Sequence, residues 1–397
     1  MGRSMILNRL SPQAPDALLA LIRLHAADPR EHKIDLGVGV YRTEQGTTPV
    51  FAAIKAAEQR LVDTQDSKSY LGPEGDTGFV NALMPYIFGA DDPAMGGRIA
   101  GMQTPGGTGA VRLALALAQN AGVKRVHLGV PSWPNHAQII ADLGLELVTF
   151  DHANPDGSAN LDAVLAAING AGAQGAVLLH ACCHNPTGID YTHDQWDAIA
   201  DAFAASGTFP IIDSAYQGLG QGLEEDAAGM RAVLAKVPEA FVAYSCDKNF
   251  GQYRDRVGAF YILGNGQAEL DTAFSNANAL ARACWSMPPD HGGAAVRIIL
   301  SDPGMTTAWL GELDDMRARM RAVRNALAAA GRAGRIDLTP LAAQNGLFAM
   351  LPVTKDEVAT LREDHGIYMA ASGRINIAGL TMANLPRFIA ALAAVAG

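Results

Sequence analysis

Cysteine is scarce and poorly spaced for cross-linking. The 397 residues include four, Cys182, Cys183, Cys246 and Cys284, two of them adjacent and none in a Cys-x-x-Cys pair. A disulfide framework is therefore excluded as the main source of stability, and a reducing compartment fits better. Positive charge is in deficit too, with 30 Lys and Arg against 40 Asp and Glu and a formal net charge of −10. A nucleic acid or an anionic membrane would need a basic face, so neither partner is expected. A small anionic substrate stays open, because a few buried arginines can make a local positive site. Long apolar runs are absent. Stretches such as Leu113–Ala118 fall well short of the ~20 residues of a membrane span. The N-terminal segment has Arg3 and Arg9 but no apolar stretch leading to a small-residue cleavage site. No tandem repeat or low-complexity linker is evident. The expectation is a soluble, cytoplasmic protein.

What is present is enough apolar material for a large core. Hydrophobic residues make up 49% and charged residues 18% of the chain, which excludes global disorder. The length exceeds one ordinary compact core, so two interleaved domains are expected. Residues 16–27 read as an amphipathic helix with Asp16 as N-cap after Pro15, and Ile34–Val40 as a short strand. A glycine loop, Pro105–Gly109, opens a helical run through Asn120. Short β-type runs follow at Arg125–Val130, Leu145–Phe150, Gly175–His180, Phe209–Asp213, Ala240–Ser245 and Gly258–Leu263. Helical stretches at 160–169, 193–206 and 228–236 separate several of them. Strands alternating with helices predict a mostly parallel sheet covered on both faces, with ligands outside the strand carboxyl ends. A long Arg- and Ala-rich helical pattern at 306–331 leads into shorter pieces. These read as a second domain shared with the N-terminal segment.

Four short segments carry chemistry. Ser245-Cys246-Asp247-Lys248-Asn249-Phe250-Gly251 follows an apolar strand, and Arg256 comes eight residues after the lysine. A lysine desolvated at a strand end loses charge and can attack a carbonyl, while the arginine can clamp a phosphate. Alone, Lys248 reads as a surface lysine. Pro105-Gly106-Gly107-Thr108-Gly109 lets backbone N–H groups approach a phosphate at a helix N-terminus, or is a simple turn. His184-Asn185-Pro186-Thr187-Gly188 offers an amide to a ring hydroxyl, or is an Asn-Pro turn. Asp213, at the end of a buried strand, needs a cationic partner such as a protonated pyridine nitrogen, or caps the following turn. His180, Cys182 and His184 share one side if their strand continues. Their spacing is not a zinc pattern, and no metal is expected.

Taken in order, these segments resemble the class I aminotransferases of the aspartate and aromatic amino acid group. The resemblance adds Ile34-Asp35-Leu36-Gly37-Val38-Gly39-Val40-Tyr41, Tyr70-Leu71-Gly72, Pro131-Ser132-Trp133-Pro134-Asn135-His136 and Ser372-Gly373-Arg374-Ile375-Asn376, and so covers nearly the whole chain. It implies the fold-type I pyridoxal-phosphate architecture. The large domain would span 49–312 and carry a mixed, mostly parallel sheet flanked by helices. A small α/β domain would comprise 14–48 and 313–397, preceded by an arm over 1–13. The implied cofactor is pyridoxal 5′-phosphate, held as an imine by Lys248, which also carries a proton between the substrate α-carbon and the cofactor. Asp213 would pair with the ring nitrogen with His136 behind it, and Asn185 and Tyr216 with the ring hydroxyl. Trp133 would stack on the ring. Gly107, Thr108, Ser245 and Arg256 would cradle the phosphate, joined by Tyr70 of a second subunit, so that the active unit is a homodimer with shared sites. Arg374 would clamp the substrate α-carboxylate beside Gly39. Arg282 would reach across the dimer to a distal carboxylate.

Two positions depart from the family pattern. Asp247 stands where many relatives carry serine, and a carboxylate there would repel a phosphate unless protonated or turned away. Met287 occupies a position often polar in aspartate-specific relatives, and a flexible apolar residue there suits bulky side chains. The implied reaction moves an amino group from an aromatic amino acid, aspartate, or both, to 2-oxoglutarate by ping-pong kinetics. A related lyase or decarboxylase is the runner-up, with a non-catalytic protein on the same fold less favoured.

Overall fold

The computed structural model describes residues 6–12, 17–92 and 96–397. The expected cap Asp16 lies outside them, as does most of the first half of the proposed arm. The first strand, β1, covers only Ile34–Asp35. The run expected to continue to Val40 instead has its carbonyls taken by side chains. Arg374 Nη2 donates to the Gly37 carbonyl at 3.0 Å, and Asn376 Nδ2 donates to those of Val38 and Val40 at 2.5 and 2.8 Å. Beyond Leu36, which still bonds the Tyr368 and Asn376 backbones, those carbonyls are not free for a ladder.

Seven strands form the central sheet: β2 (Ile99–Pro105), β3 (Arg125–Val130), β4 (Glu146–Asp151), β5 (Gly175–His180), β6 (Phe209–Ser214), β7 (Ala240–Ser245) and β8 (Val257–Leu263). Their order is β2-β8-β7-β6-β5-β3-β4. Only β8 runs against the rest, antiparallel to both β2 and β7. β5, β7 and β8 are buried along their whole length, as their unbroken apolar runs require in a sheet covered on both sides. The two-residue period of a strand then divides the core. Val177, Leu179, Ile212 and Val242 join one hydrophobic cluster, while Ala176, Leu178, Ile211 and Phe241 join the cluster on the opposite face. Strand β2 has no counterpart in the sequence reading, since its Ile99-Ala-Gly-Met-Gln-Thr-Pro run lacks an alternating pattern.

A third hydrophobic cluster is built from Ile34, Leu36 and residues between Val323 and Ala396. It holds the pairs β1 with β12 (Ile367–Tyr368), β9 (Arg332–Ala333) with β10 (Ile336–Asp337), and β11 (Phe348–Met350) with β13 (Arg374–Asn376). The helix Pro303–Ala329 joins the clusters. Trp309, Leu313, Met316 and Met320 pack in the first, and Val323 and Leu327 in the third. Among the described residues, no helix is long and apolar enough to cross a membrane.

Candidate active site

The sheet order carries six chain crossings to one edge. β3, β5, β6 and β7 end there, and β2, parallel to β7, ends there too. β8 begins there because it runs the other way. Residues at or beside those ends line a cleft of about 300 Å³: Gly107 and Thr108, Trp133, Asn185, Asp213 and Tyr216, Lys248, and Arg256. From segments that also feed the third cluster come Gly39, Phe348 and Arg374, with Phe348 itself packed in the first. Residues up to some 300 positions apart in sequence thus meet outside the strand carboxyl ends.

Lys248 is partly buried, with Nζ 5.1 Å from the centre of the Tyr216 ring. Burial lowers its pKa. Asp247 and Asp213 pull it back up, and Arg256 pushes it down. Asp213 is buried, with Oδ2 3.0 Å from His136 Nε2. Burial opposes ionisation of this carboxyl, but the His136 hydrogen bond and the positive charge of Lys248 hold its pKa below the ordinary value. Behind it, Ser132 Oγ lies 3.0 Å from both His136 Nδ1 and His180 Nε2. His180 is kept neutral by burial, with its pKa lowered to about 3. Asn185 Nδ2 donates to Tyr216 Oη at 3.3 Å, and burial raises the tyrosine's pKa.

The glycine loop is itself helical, because the helix Gly106–Asn120 starts at its first glycine. Pro105 caps it without a side-chain hydrogen bond, so the first-turn N–H groups remain available to an anion. A Cβ added at Gly107 would lie 2.8 Å from Ser245 Cβ, and one at Gly106 would lie 2.6 Å from Arg256 Nη2. The glycines keep open a concavity bounded by Ser245 and Arg256. Arg374, half-buried, lies over the Phe348 ring at 4.5 Å, and its Nη2 donates to the Gly37 carbonyl.

The sequence profile of the family described as aminotransferase class I and II matches residues 31–392. The chain belongs to this family. It is similar to a tyrosine aminotransferase of Rhizobium meliloti (strain 1021), 51% identical over 94% of this chain and 96% of that protein. An aspartate aminotransferase of Escherichia coli (strain K12) is 42% identical over 96% of this chain and 97% of its own length. A solved aromatic-amino-acid aminotransferase from Burkholderia pseudomallei, covalently bound to pyridoxal phosphate, superposes with a TM-score of 0.95 at 35% identity, covering 99% of this chain and all of that one. The fold is that of the pyridoxal-phosphate aminotransferases, and the enzyme class is that of a pyridoxal-phosphate-dependent transaminase.

The cleft fits that cofactor on its own terms. Among the described residues, Oδ1 of Asp213 and Oδ1 of Asn185 are buried and accept no hydrogen bond. A ring offering a protonated nitrogen and a hydroxyl would satisfy such acceptors, and the glycine cradle would take a phosphate.

Not every residue singled out in the sequence reaches this cleft. Tyr70 is 94% exposed. Arg282, on the last turn of the helix Gln267–Cys284, is exposed and donates to Ser286 Oγ at 2.7 Å. Neither lines the cleft of its own chain. Conversely, Phe348, Tyr253 and His180 line it without having been singled out as site residues. Tyr253, five residues past the lysine, was near enough to suspect; Phe348 carried no signal. Ring nitrogens of His180 and His184 meet hydroxyls, His180 Nε2 lying 3.0 Å from Ser132 Oγ and His184 Nδ1 2.8 Å from Thr187 Oγ1. Among the described residues, the group whose ligand atoms lie within 4.8 Å of one another is Cys182, Cys183 and Asp226. There the carboxylate already accepts the N–H groups of Gly218, Gly220 and Gln221.

Proposed function

We propose that this aminotransferase moves the amino group of aromatic amino acids and of aspartate to 2-oxoglutarate, and that it does so as a homodimer with shared active sites. The observation that carries the reading is the convergence of Lys248, Asp213, Arg256 and Arg374 on one cleft. Lys248, Asn185, Tyr216 and Trp133 would hold and orient the cofactor ring, with Asp213 at its nitrogen and His136 keeping the carboxylate ionised. Gly107, Thr108, Ser245 and Arg256 would take the phosphate. Once bound, pyridoxal phosphate supplies the electron sink for breaking a bond at the substrate α-carbon. Lys248, desolvated, would accept and return a proton at Nζ. Arg374 would orient the substrate by its α-carboxylate, a two-point contact suited to a planar guanidinium.

The aromatic half of the substrate reading is supported by Met287, by the Trp133, Tyr216 and Phe348 rings around the cleft, and by the tyrosine-specific name of a 51% identical relative. The aspartate half is supported by Arg282 and by the 42% identical aspartate aminotransferase. For the dimer, the support is local. Leu71 N–H lies 3.1 Å from Met287 Sδ, so the exposed Tyr70 and Arg282 segments adjoin on one surface. The proposed division into an arm over 1–13, a small domain over 14–48 and 313–397 and a large domain over 49–312 has the third hydrophobic cluster as its support. Its second boundary falls within the helix Pro303–Ala329.

The test is a donor screen with 2-oxoglutarate, comparing aspartate, tyrosine, phenylalanine and tryptophan, on wild type and Lys248→Ala. Glutamate should form from aspartate and at least one aromatic donor. The lysine variant should lose ~10²-fold or more of the turnover together with the absorbance of lysine-bound cofactor. Ammonia or CO2 release without glutamate would defeat the reading, as would wild-type rates in Lys248→Ala.

A further inference from the structure

The residue before Lys248 is a carboxylate set among the groups that would grip a phosphate. Asp247 is buried, at 2% exposure. Its Oδ1 accepts the Val257 N–H at 3.0 Å, and its Oδ2 pairs with Nη1 of Arg256. Its own N–H donates to Ser245 Oγ at 3.2 Å. A Cβ built on Gly106 would lie 2.6 Å from Arg256 Nη2 and 3.0 Å from Asp247 Oδ2, so guanidinium and carboxylate both face the first turn of the helix Gly106–Asn120. A phosphate seated on that turn would meet an anion already engaged with the same arginine.

We propose that Asp247 competes with the cofactor phosphate for Arg256, so that this enzyme takes up a proton when it binds pyridoxal phosphate and holds the cofactor less tightly as pH rises. The inference rests on reading the cleft as a pyridoxal phosphate site. The charged and titratable groups facing Asp247 are Arg256 and Lys248, both cationic when protonated, and Tyr253 and Cys246, which burial keeps neutral. Burial already raises the pKa of Asp247, against the pull of Lys248 and Arg256. A phosphate carries a second negative charge above pH about 6. Beside a buried carboxylate that charge is unfavourable, and one proton shared between the two anions relieves it.

The sign separates this from other titrations. Cofactor capture by Lys248 alone would strengthen as pH rises, because only the neutral amine bonds. Second ionisation of the phosphate in a purely cationic cradle would strengthen binding as well. Loss of the ring-nitrogen proton paired with Asp213 would also weaken binding, but equally for a cofactor without a phosphate; a competing carboxylate weakens the phosphate contribution itself. Affinity would fall by up to about tenfold per pH unit, the limit for one linked proton.

The experiment equilibrates full-length holoenzyme by dialysis against a series of free pyridoxal phosphate concentrations from pH 6.5 to 8.5. Pyridoxal, which lacks the phosphate, is run in parallel, and bound cofactor is read by absorbance. The Kd ratio of pyridoxal phosphate to pyridoxal isolates the phosphate contribution. In wild type that ratio should rise with pH. In Asp247→Asn and Asp247→Ser the rise should flatten, and at pH 8 the ratio should fall about tenfold or more. A wild-type ratio that is flat or falls with pH overturns the proposal, and so do variants that match wild type. If the variants do not fold, the wild-type ratio still decides. Absence of any lysine-bound absorbance with either compound would instead sink the underlying cofactor reading.

Discussion

Arg374 and Arg282 carry the same charge but differ in setting. Arg374 is half-buried over Phe348 and anchored to the Gly37 carbonyl, whereas Arg282 sits exposed on a helix end. A preoriented guanidinium should contribute to every substrate, since every amino acid presents the same α-carboxylate. Arg374→Ala should therefore lower kcat/KM by roughly 10- to 100-fold for aspartate and phenylalanine alike, the worth of a charge-assisted hydrogen-bond pair. Arg282→Ala should penalise aspartate and glutamate far more than phenylalanine. Steady-state kinetics on both donor classes check the pair, and loss confined to dicarboxylates in Arg374→Ala would reverse the roles. At this scale much was legible in advance, because Lys248, Asp213, Asn185 and Arg256 lie in short stretches whose residue types have few alternative uses together. Phe348 was not. A phenylalanine in an apolar strand reads as core, and only the fold reveals that its ring lies under Arg374.

Among the elements, the sheet edge builds half the cleft and the long helix fixes the other half. Arg324, on the helix Pro303–Ala329, is 1% exposed, and its Nη2 donates to the carbonyls of Asn345, Gly346 and Phe348 at 2.9, 2.9 and 2.6 Å. It pins the strand β11, and with it the ring on which Arg374 rests. Arg324→Leu keeps the apolar volume but strands those carbonyls, at a cost on the order of 3 kcal/mol. The thermal midpoint should drop by several degrees. KM for amino donors should rise, and the absorbance of lysine-bound cofactor should persist. An unchanged midpoint would mean that the carbonyls find other partners. The parallel strands were legible from their apolar runs and separating helices, within a residue or two at each end. The run after β1 was misread because its apolar residues mimic a strand, while its carbonyls are claimed by Arg374 and Asn376, more than 300 positions away. Periodicity carries no information about such distant donors.

At the scale of the whole molecule, one chain gathers Lys248, Asp213 and the proposed phosphate cradle, yet leaves Tyr70 and Arg282 on its surface. In the proposed homodimer each cleft would be completed by its neighbour, and that makes a prediction no single chain can imitate. Lys248→Ala and Arg282→Ala should each be defective on aspartate, one for want of the amine and the other for want of the distal clamp. In a hybrid dimer, the cleft with an intact Lys248 belongs to the Arg282→Ala chain. It can regain an arginine only from the Lys248→Ala chain, across the interface. Mixing the two variants under conditions that exchange subunits should therefore restore aspartate turnover to about a quarter of wild type, since half the dimers are hybrids with one complete site of two. If Arg282 served its own chain, the hybrid would hold one cleft without the amine and one without the clamp, and mixing would restore nothing. Phenylalanine turnover provides the internal control. The Arg282→Ala chain already supports it, so subunit exchange should leave it unchanged while aspartate turnover climbs.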